Sequence, residues 1–173
     1  QIKAQMIAGI QARAAAWGIT DLANNLIMYS FTGAVDSGSS YAACLSAIDA
    51  FYGDLRATLG NFWVVQDLLT TQIDSAHNWR AAQMSFVSTD AKARWVNMDD
   101  LALRGGGDQH YADESYVQGG IRGNAVTTPL ITGIARTNPF VAAVGPITSA
   151  SSAAALVYTM PRHQTNDILI AVL

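Results

Sequence analysis

The stretch "GGGDQHYADES" packs reactive side chains densely, with Asp108, His110, Asp113 and Glu114 set among glycines. Carboxylates and one imidazole are the groups that hold a divalent cation or pass a proton. Their spacing fits no EF-hand loop, which needs oxygen ligands at alternate positions and a distant Glu. It fits no zinc signature either, because a second His and any nearby Cys are missing. The expectation is a solvated polar loop, with no metal and no cofactor. A small metal-binding enzyme centred on Asp108–Glu114 is the lesser alternative.

Other chemical patterns are weaker still. Gly105–Gly107 are followed by no Lys, and a helix rather than a strand is expected before them, so they are not a P-loop. The chain has three histidines, His77, His110 and His163, and many serines, but no G-x-S-x-G nucleophile elbow. His77, in "DSAHNW", reads as a helix-surface residue beside Trp79, and His163 as part of a turn. Asp99 and Asp100 are adjacent, so on a helix they point about 100° apart and cannot share a site. They are expected to begin a turn or to meet Arg104. No catalytic residue is assigned, and the expectation is a non-enzymatic protein.

Composition points the same way. Half of the 173 residues are hydrophobic and 13% are charged, against about 25% in a typical soluble domain. Such a surface is more often covered by partner subunits than left in water. A net charge of −3, with scattered Lys and Arg, argues against the basic patch that direct nucleic-acid binding needs, so no such binding is expected. No apolar run is long enough to cross a bilayer, so no membrane partner is expected. The single cysteine, Cys44, lies in an apolar helical pattern and reads as a small buried hydrophobe.

The elements that would position these groups fall into two unlike parts. Residues 1–104 read as a helical block. Ile2, Met6, Ile10, Ala14 and Trp17 form one helical face, stopped by Gly18. Thr20 or Asp21 can cap a second helix carrying Leu22, Leu26 and Tyr29. "DSGSS" leads into a third, whose Tyr41, Leu45, Ile48, Tyr52, Leu55 and Leu59 make a narrow seam. Gly60 stops it, and Asn61 would cap a fourth helix with Phe62, Val65, Leu69, Ile73, Ala76 and Trp79 on its buried face. A last segment would start at Ser88–Asp90 and hold Trp95, Met98 and Leu101. Residues 105–124 read as a glycine-rich arm or linker.

Residues 125–173 lean towards β-structure and look incomplete. Val126–Ile134, Val141–Ile147, Ala153–Thr159 and Asp167–Leu173 are the extended pieces. The fold class expected is therefore α+β: an N-terminal helical block, a Gly-rich arm, and a C-terminal strand region. Those strands would begin a β-sandwich or pair with neighbours. A lone hairpin is marginal in water, so the apolar Ile168–Leu173 run is expected to find partners outside these residues. Interface candidates are Tyr41, Leu45, Ile48, Tyr52 and Trp63 in the helical block, and Ile168, Leu169 and Ile170 in the tail.

The closing residues "ITSASSAAALVYTMPRHQTNDILIAVL" resemble the opening of β-sandwich modules in tailed-bacteriophage virion proteins. The likeness rests on a small, Ser-rich strand (Ala153–Thr159), a turn at Pro161, the Asn166–Asp167 step and the apolar Ile168–Leu173 strand. It covers about thirty residues and implies a structural component of the phage head, neck or fibre type. Implied partners are copies of itself, as a homo-oligomer, and other virion proteins. The implied location is the virion, assembled in the host cytoplasm. A bacterial surface or adhesion module is the alternative of the same structural kind.

Overall fold

The computed structural model describes residues 2–30, 39–74, 76–106, 110–131 and 169–172. The chain is α+β, but its strands lie mostly inside the block expected to be helical. In order it forms α1 (Ile2–Ala16), α2 (Leu22–Asn25), β1 (Leu26–Ser30), α3 (Tyr41–Leu59) and β2 (Trp63–Asp67). Then come α4 (Asn78–Thr89), β3 (Ala93–Val96), α5 (Asp113–Ile131) and β4 (Leu169–Val172). The sheet has four parallel strands in the order β3-β2-β1-β4. In register, Ile27 lies opposite Trp63, Val64 opposite Ala93, and Leu26 opposite Leu169.

Parallel sheets bury both faces, so their strands read as unbroken apolar runs rather than as alternations. "LIMY" of β1 is such a run: Leu26, Ile27, Met28 and Tyr29 are all buried. The pleat sends Leu26, Met28, Val64 and Ala93 to one core, with Ile48, Tyr52 and Leu55 of α3 and Ala82 and Phe86 of α4. Ile27, Tyr29, Val65 and Val96 point to the opposite core, with Met98, Leu101, Tyr111 and Val126. Helices α3 and α4 thus cover one face. Helix α5, packed on β2 and β3, covers the other.

Caps and stops fall where the side chains allow. Ser40 accepts the Ala43 amide at 3.3 Å to begin α3, and Asp21 does the same for Asn24 at 3.3 Å to begin α2. Gly18 and Gly60 take φ of 66° and 83°, the left-handed region that costs glycine nothing.

Several expectations are corrected. Tyr29 lies on a strand, not on a helix face. The expected fourth helix is split: Phe62 and Val65 belong to β2 and its approach, and only Asn78–Thr89 is helical. Asn61 caps nothing, because a strand follows it. Asp90 ends α4 rather than starting a segment, and Trp95 is on β3. The glycine-rich stretch is not all arm, since Asp113–Ile131 is helix α5, which also takes in the first part of the expected extended piece Val126–Ile134. Leu169–Val172 pairs with β1 of the same chain rather than only with outside partners. The pieces Val141–Ile147 and Ala153–Thr159, and with them Pro161, His163 and Ile168, lie outside the described residues.

The α5 glycines have a packing reason. A Cβ on Gly123 would sit 2.5 Å from the Tyr29 hydroxyl, and one on Gly119 would sit 2.6 Å from Met98 Cε. A Cβ on Gly120 would meet nothing within 4 Å. Two of the three glycines therefore let the helix backbone close onto the sheet. What reads in sequence as loop punctuation is a close helix-to-sheet contact.

Candidate functional site

Strands β1 and β2 change character at their carboxyl ends. Each opens with large apolar residues and closes on a polar pair, Tyr29–Ser30 on β1 and Gln66–Asp67 on β2. On the α3 face, the Ser30 and Tyr52 hydroxyls are 2.8 Å apart. On the α5 face, the Tyr29 hydroxyl donates to Asp67 Oδ1 at 2.5 Å. Asp67 is only 4% exposed, and among the described residues its Oδ2 has no hydrogen-bond partner. Burial pushes its carboxyl up to about 6, with the Tyr29 hydrogen bond opposing that rise. Burial also raises the Tyr29 phenol, and the hydrogen bond to Asp67 and its charge raise it further.

These two pairs differ in what they can do. Burial raises the Tyr52 phenol, against the opposing pull of its bonds to Ser30 and Gln66 and of the Arg56 charge. A raised phenol is a poor base at neutral pH, so Tyr52 does not activate Ser30 as a nucleophile. Asp67 by contrast changes charge in the range where general acids and bases work.

The loops that follow the strands are tied to this edge. Buried Gln83 on α4 acts as a short substitute for a strand: it accepts from the Leu69 amide at 2.8 Å and donates to the Asp67 carbonyl at 2.8 Å. Arg80 clamps the β2 loop to the β3 loop: Nη1 donates to the Leu69 carbonyl at 3.3 Å, and Nη2 and Nη1 meet Asp99 Oδ2 at 2.7 Å and Oδ1 at 3.0 Å. Asp99 also accepts the Thr71 amide at 3.1 Å. Asp74, fully buried, accepts the Arg80 amide at 2.9 Å through Oδ2. Its Oδ1 has no partner among the described residues. His77 precedes α4 with φ 55°, exposed rather than on the helix surface proper.

The loop after β3 carries His110, and its neighbour Tyr111 lies within the field of Asp67. The Arg104 amide donates to the His110 carbonyl at 2.8 Å and the Ala112 amide to the Ala102 carbonyl at 2.9 Å, around a bridge between Leu103 and Tyr111. Tyr111 packs on the α5-side core and meets Tyr116 edge-on, with ring centroids 5.9 Å apart. Burial first, then the charges of Asp67 and Asp99, push its phenol up to about 12. The field of Asp67 therefore reaches the residue next to His110. His110 is exposed beside it.

The residues singled out in sequence are dispersed by this arrangement. Of the set in "GGGDQHYADES", Asp108 lies outside the described residues. Asp113 pairs with Arg104 at 2.8 Å, and with Glu114 it forms the acidic first turn of α5, where carboxylates favour the helix dipole. Among the described residues no three of His, Cys, Asp and Glu come together to hold a metal. Asp99 and Asp100 do diverge, but towards Arg80 and Arg122 rather than Arg104. The guanidinium of Arg122 holds the Asp100 carboxyl down to about 2.

The interface candidates turn mostly inward. Ile48 and Tyr52 are buried in the chain's own core, and Leu45 is packed against it. Tyr41 is exposed and bonds Ser85 at 2.9 Å. Trp63 is half-buried, with the Arg94 guanidinium 4.9 Å from its ring. For Leu169 and Ile170 the backbone pairing with β1 is what the structure describes. Sequence reasoning missed Tyr29, Asp67 and Gln83. The available signal was a polar pair closing each of two apolar runs, "LIMYS" and "WVVQD".

Comparison with protein-family models, with curated proteins and with solved structures returned no match.

Proposed function

We propose that the chain carries a small-molecule site at the carboxyl edge of its parallel sheet, and that this site does acid–base chemistry. The observation that supports this is topological. The strand order β3-β2-β1-β4 places α3 and α4 on one face and α5 on the other, so the connections diverge between β1 and β4; Tyr29 of β1 borders that point, and Asp67 lies one strand away on β2, bonded to Tyr29. In open parallel sheets, the crevice beyond the carboxyl ends at such a divergence is where ligands bind. Here that edge holds a buried carboxyl pushed up to about 6, two loops clamped by Arg80 and Gln83, and, next to Tyr111, the exposed His110. Such groupings occur at functional sites more often than elsewhere. In this reading Asp67 and His110 exchange protons with the substrate, and Tyr29 orients Asp67. No substrate is named by the fold alone.

The test is a fragment screen of the full chain by amide NMR, with small polar compounds. The reading expects hits that perturb Ser30, Asp67, Leu69 and the 102–112 loop. Hits confined to another surface, or no hits at all, would overturn it.

A second reading keeps the structural protein of a viral particle, acting through assembly with its own copies and other virion proteins. It rests on the resemblance of the closing residues and on low charge. It is favoured by the apolar groups that α5 leaves exposed, Tyr116, Val117 and Ile121, of the kind partner subunits cover. Light scattering on the full chain tests it: a monomer at high concentration counts against assembly.

A further inference from the structure

We infer that helix α5 is a proton-controlled cover over the Tyr29–Asp67 pair, closed on the sheet while Asp67 holds its proton and lifted more often once that proton is lost. The inference concerns the access of water to Asp67, and it holds whether or not the edge takes a ligand.

The geometry makes α5 the cover. Asp67 follows Val65 by two positions, so the pleat turns it to the α5 face, where it meets Tyr29. Gly123 brings the α5 backbone onto the Tyr29 hydroxyl, where a Cβ would sit 2.5 Å away. Beneath that contact Tyr29 donates to Asp67 Oδ1, while Oδ2 is buried with no hydrogen-bond partner among the described residues. An ionised carboxylate held there lacks the donors that water would give it, and costs more than the neutral acid. Water reaches it most readily where the least secure layer parts.

Helix α5 is that layer. It contains Gly119, Gly120, Gly123 and Pro129, residues that lower intrinsic helix stability. By contrast α4 has neither glycine nor proline, and α3 has only Gly53. The ion pairs Arg104–Asp113 and Arg122–Asp100 tie α5 down at the surface, where such pairs are weak.

The groups around Asp67 leave the control to its own proton. β1 supplies Tyr29 and the loop before α5 supplies Tyr111, both phenols raised further from neutrality. β3 sets Val96 beside Asp67. Arg80 of α4 is paired with Asp99. On α5, Asp113 and Arg122 are paired as above, and Glu114 is exposed in the first turn. His110 is exposed next to Tyr111. Burial pushes the Asp67 carboxyl up from 3.8 to about 6, against the lowering effect of the Tyr29 bond. The closed state therefore binds the proton more tightly than the opened one. Opening should rise from about pH 4 and level off above about pH 6, about a hundredfold in all.

The experiment is amide hydrogen exchange of the full chain, read by NMR from pH 4 to pH 8 at low urea concentrations and corrected for intrinsic rates. Amides of residues 119–127 should exchange through an opening that depends weakly on urea and follows that rise. Amides of α3 and α4 should exchange only through an opening with strong urea dependence. Asp67→Asn should abolish the rise in α5. Tyr29→Phe removes the bond that lowers the carboxyl, so the levelling-off should move to higher pH. Should Asp67→Asn fail to fold, Tyr29→Phe and the unaltered chain decide the matter. The inference falls if α5 shares the urea dependence of α3, or if its opening ignores pH. It also falls if the rise persists in Asp67→Asn, which would place the controlling proton elsewhere, such as on His110.

Discussion

Burial of Asp67 makes stability depend on pH in the sense opposite to that of an ion-paired aspartate. Its carboxyl is pushed up from an ordinary 3.8 to about 6 in the folded chain. The folded state thus binds the proton more tightly than the unfolded one. The stabilisation that follows is fully present below pH 4 and is lost as pH rises through about 6. At neutral pH the ionised carboxylate opposes folding by an amount on the order of 3 kcal/mol. Urea midpoints measured between pH 4 and pH 7 should show this term in the unaltered chain and lose it in Asp67→Asn. An identical pH profile for the two proteins would refute the assignment. Asp67 itself was not legible in the sequence, where one acid after "WVVQ" looks like any helix-surface aspartate. Only the parallel register, which sets Tyr29 and Asp67 on one face of adjacent strands, gives that residue its environment.

Helices α4 and α5 show at element scale how glycine and glutamine set the site. Gly123→Ala would place a methyl 2.5 Å from the Tyr29 hydroxyl and 2.7–2.8 Å from its ring. Either the phenol leaves Asp67 or α5 lifts, and overpacking of this kind costs about 1–3 kcal/mol. Gly119→Ala crowds the flexible end of Met98 and touches Leu101 at an ordinary 3.8 Å, so it should cost less. Gly120→Ala faces open space, so helix propensity should make it stabilising by roughly 1 kcal/mol. Thermal denaturation of the three variants should rank them in that order, and Gly123→Ala should also shift the Tyr29 ring signals. Gln83→Leu tests the other tie. It leaves the Leu69 amide and the Asp67 carbonyl buried without partners, a loss of roughly 2–4 kcal/mol in a chemical-denaturation curve. The elements themselves were partly legible. Ser40, Gly18 and Gly60 mark helix ends through side-chain and backbone chemistry that survives in any context. Strands β1 and β2 were read as helix because a strand buried on both faces has no period, and any continuous apolar run contains the i, i+3 and i+4 spacings of a helix. The α5 glycines were read as loop because propensity cannot see the sheet they approach.

At the scale of the whole molecule, the sheet places its most apolar strand where both edges need a neighbour. β1 pairs with β2 on one side and with β4 on the other, and Leu26–Tyr29 are buried on both faces. A chain shortened to end at Ile131 keeps α1 to α5 and the β1–β2–β3 sheet, but opens the β4 side of β1. That edge would be a row of unpaired backbone groups on an uncharged strand, which is a template for pairing with another chain. The shortened chain should therefore associate as its concentration rises, whereas adding back residues 132–173 should suppress this. Analytical ultracentrifugation across a concentration series distinguishes the outcomes. If the shortened chain remains monomeric and as resistant to urea as the full one, β4 contributes nothing to the sheet. The question raised by the apolar closing strand would then return to a partner outside the chain. If it associates while the full chain stays monomeric, β4 is an internal part of the fold, and the monomeric full chain counts against assembly with its own copies.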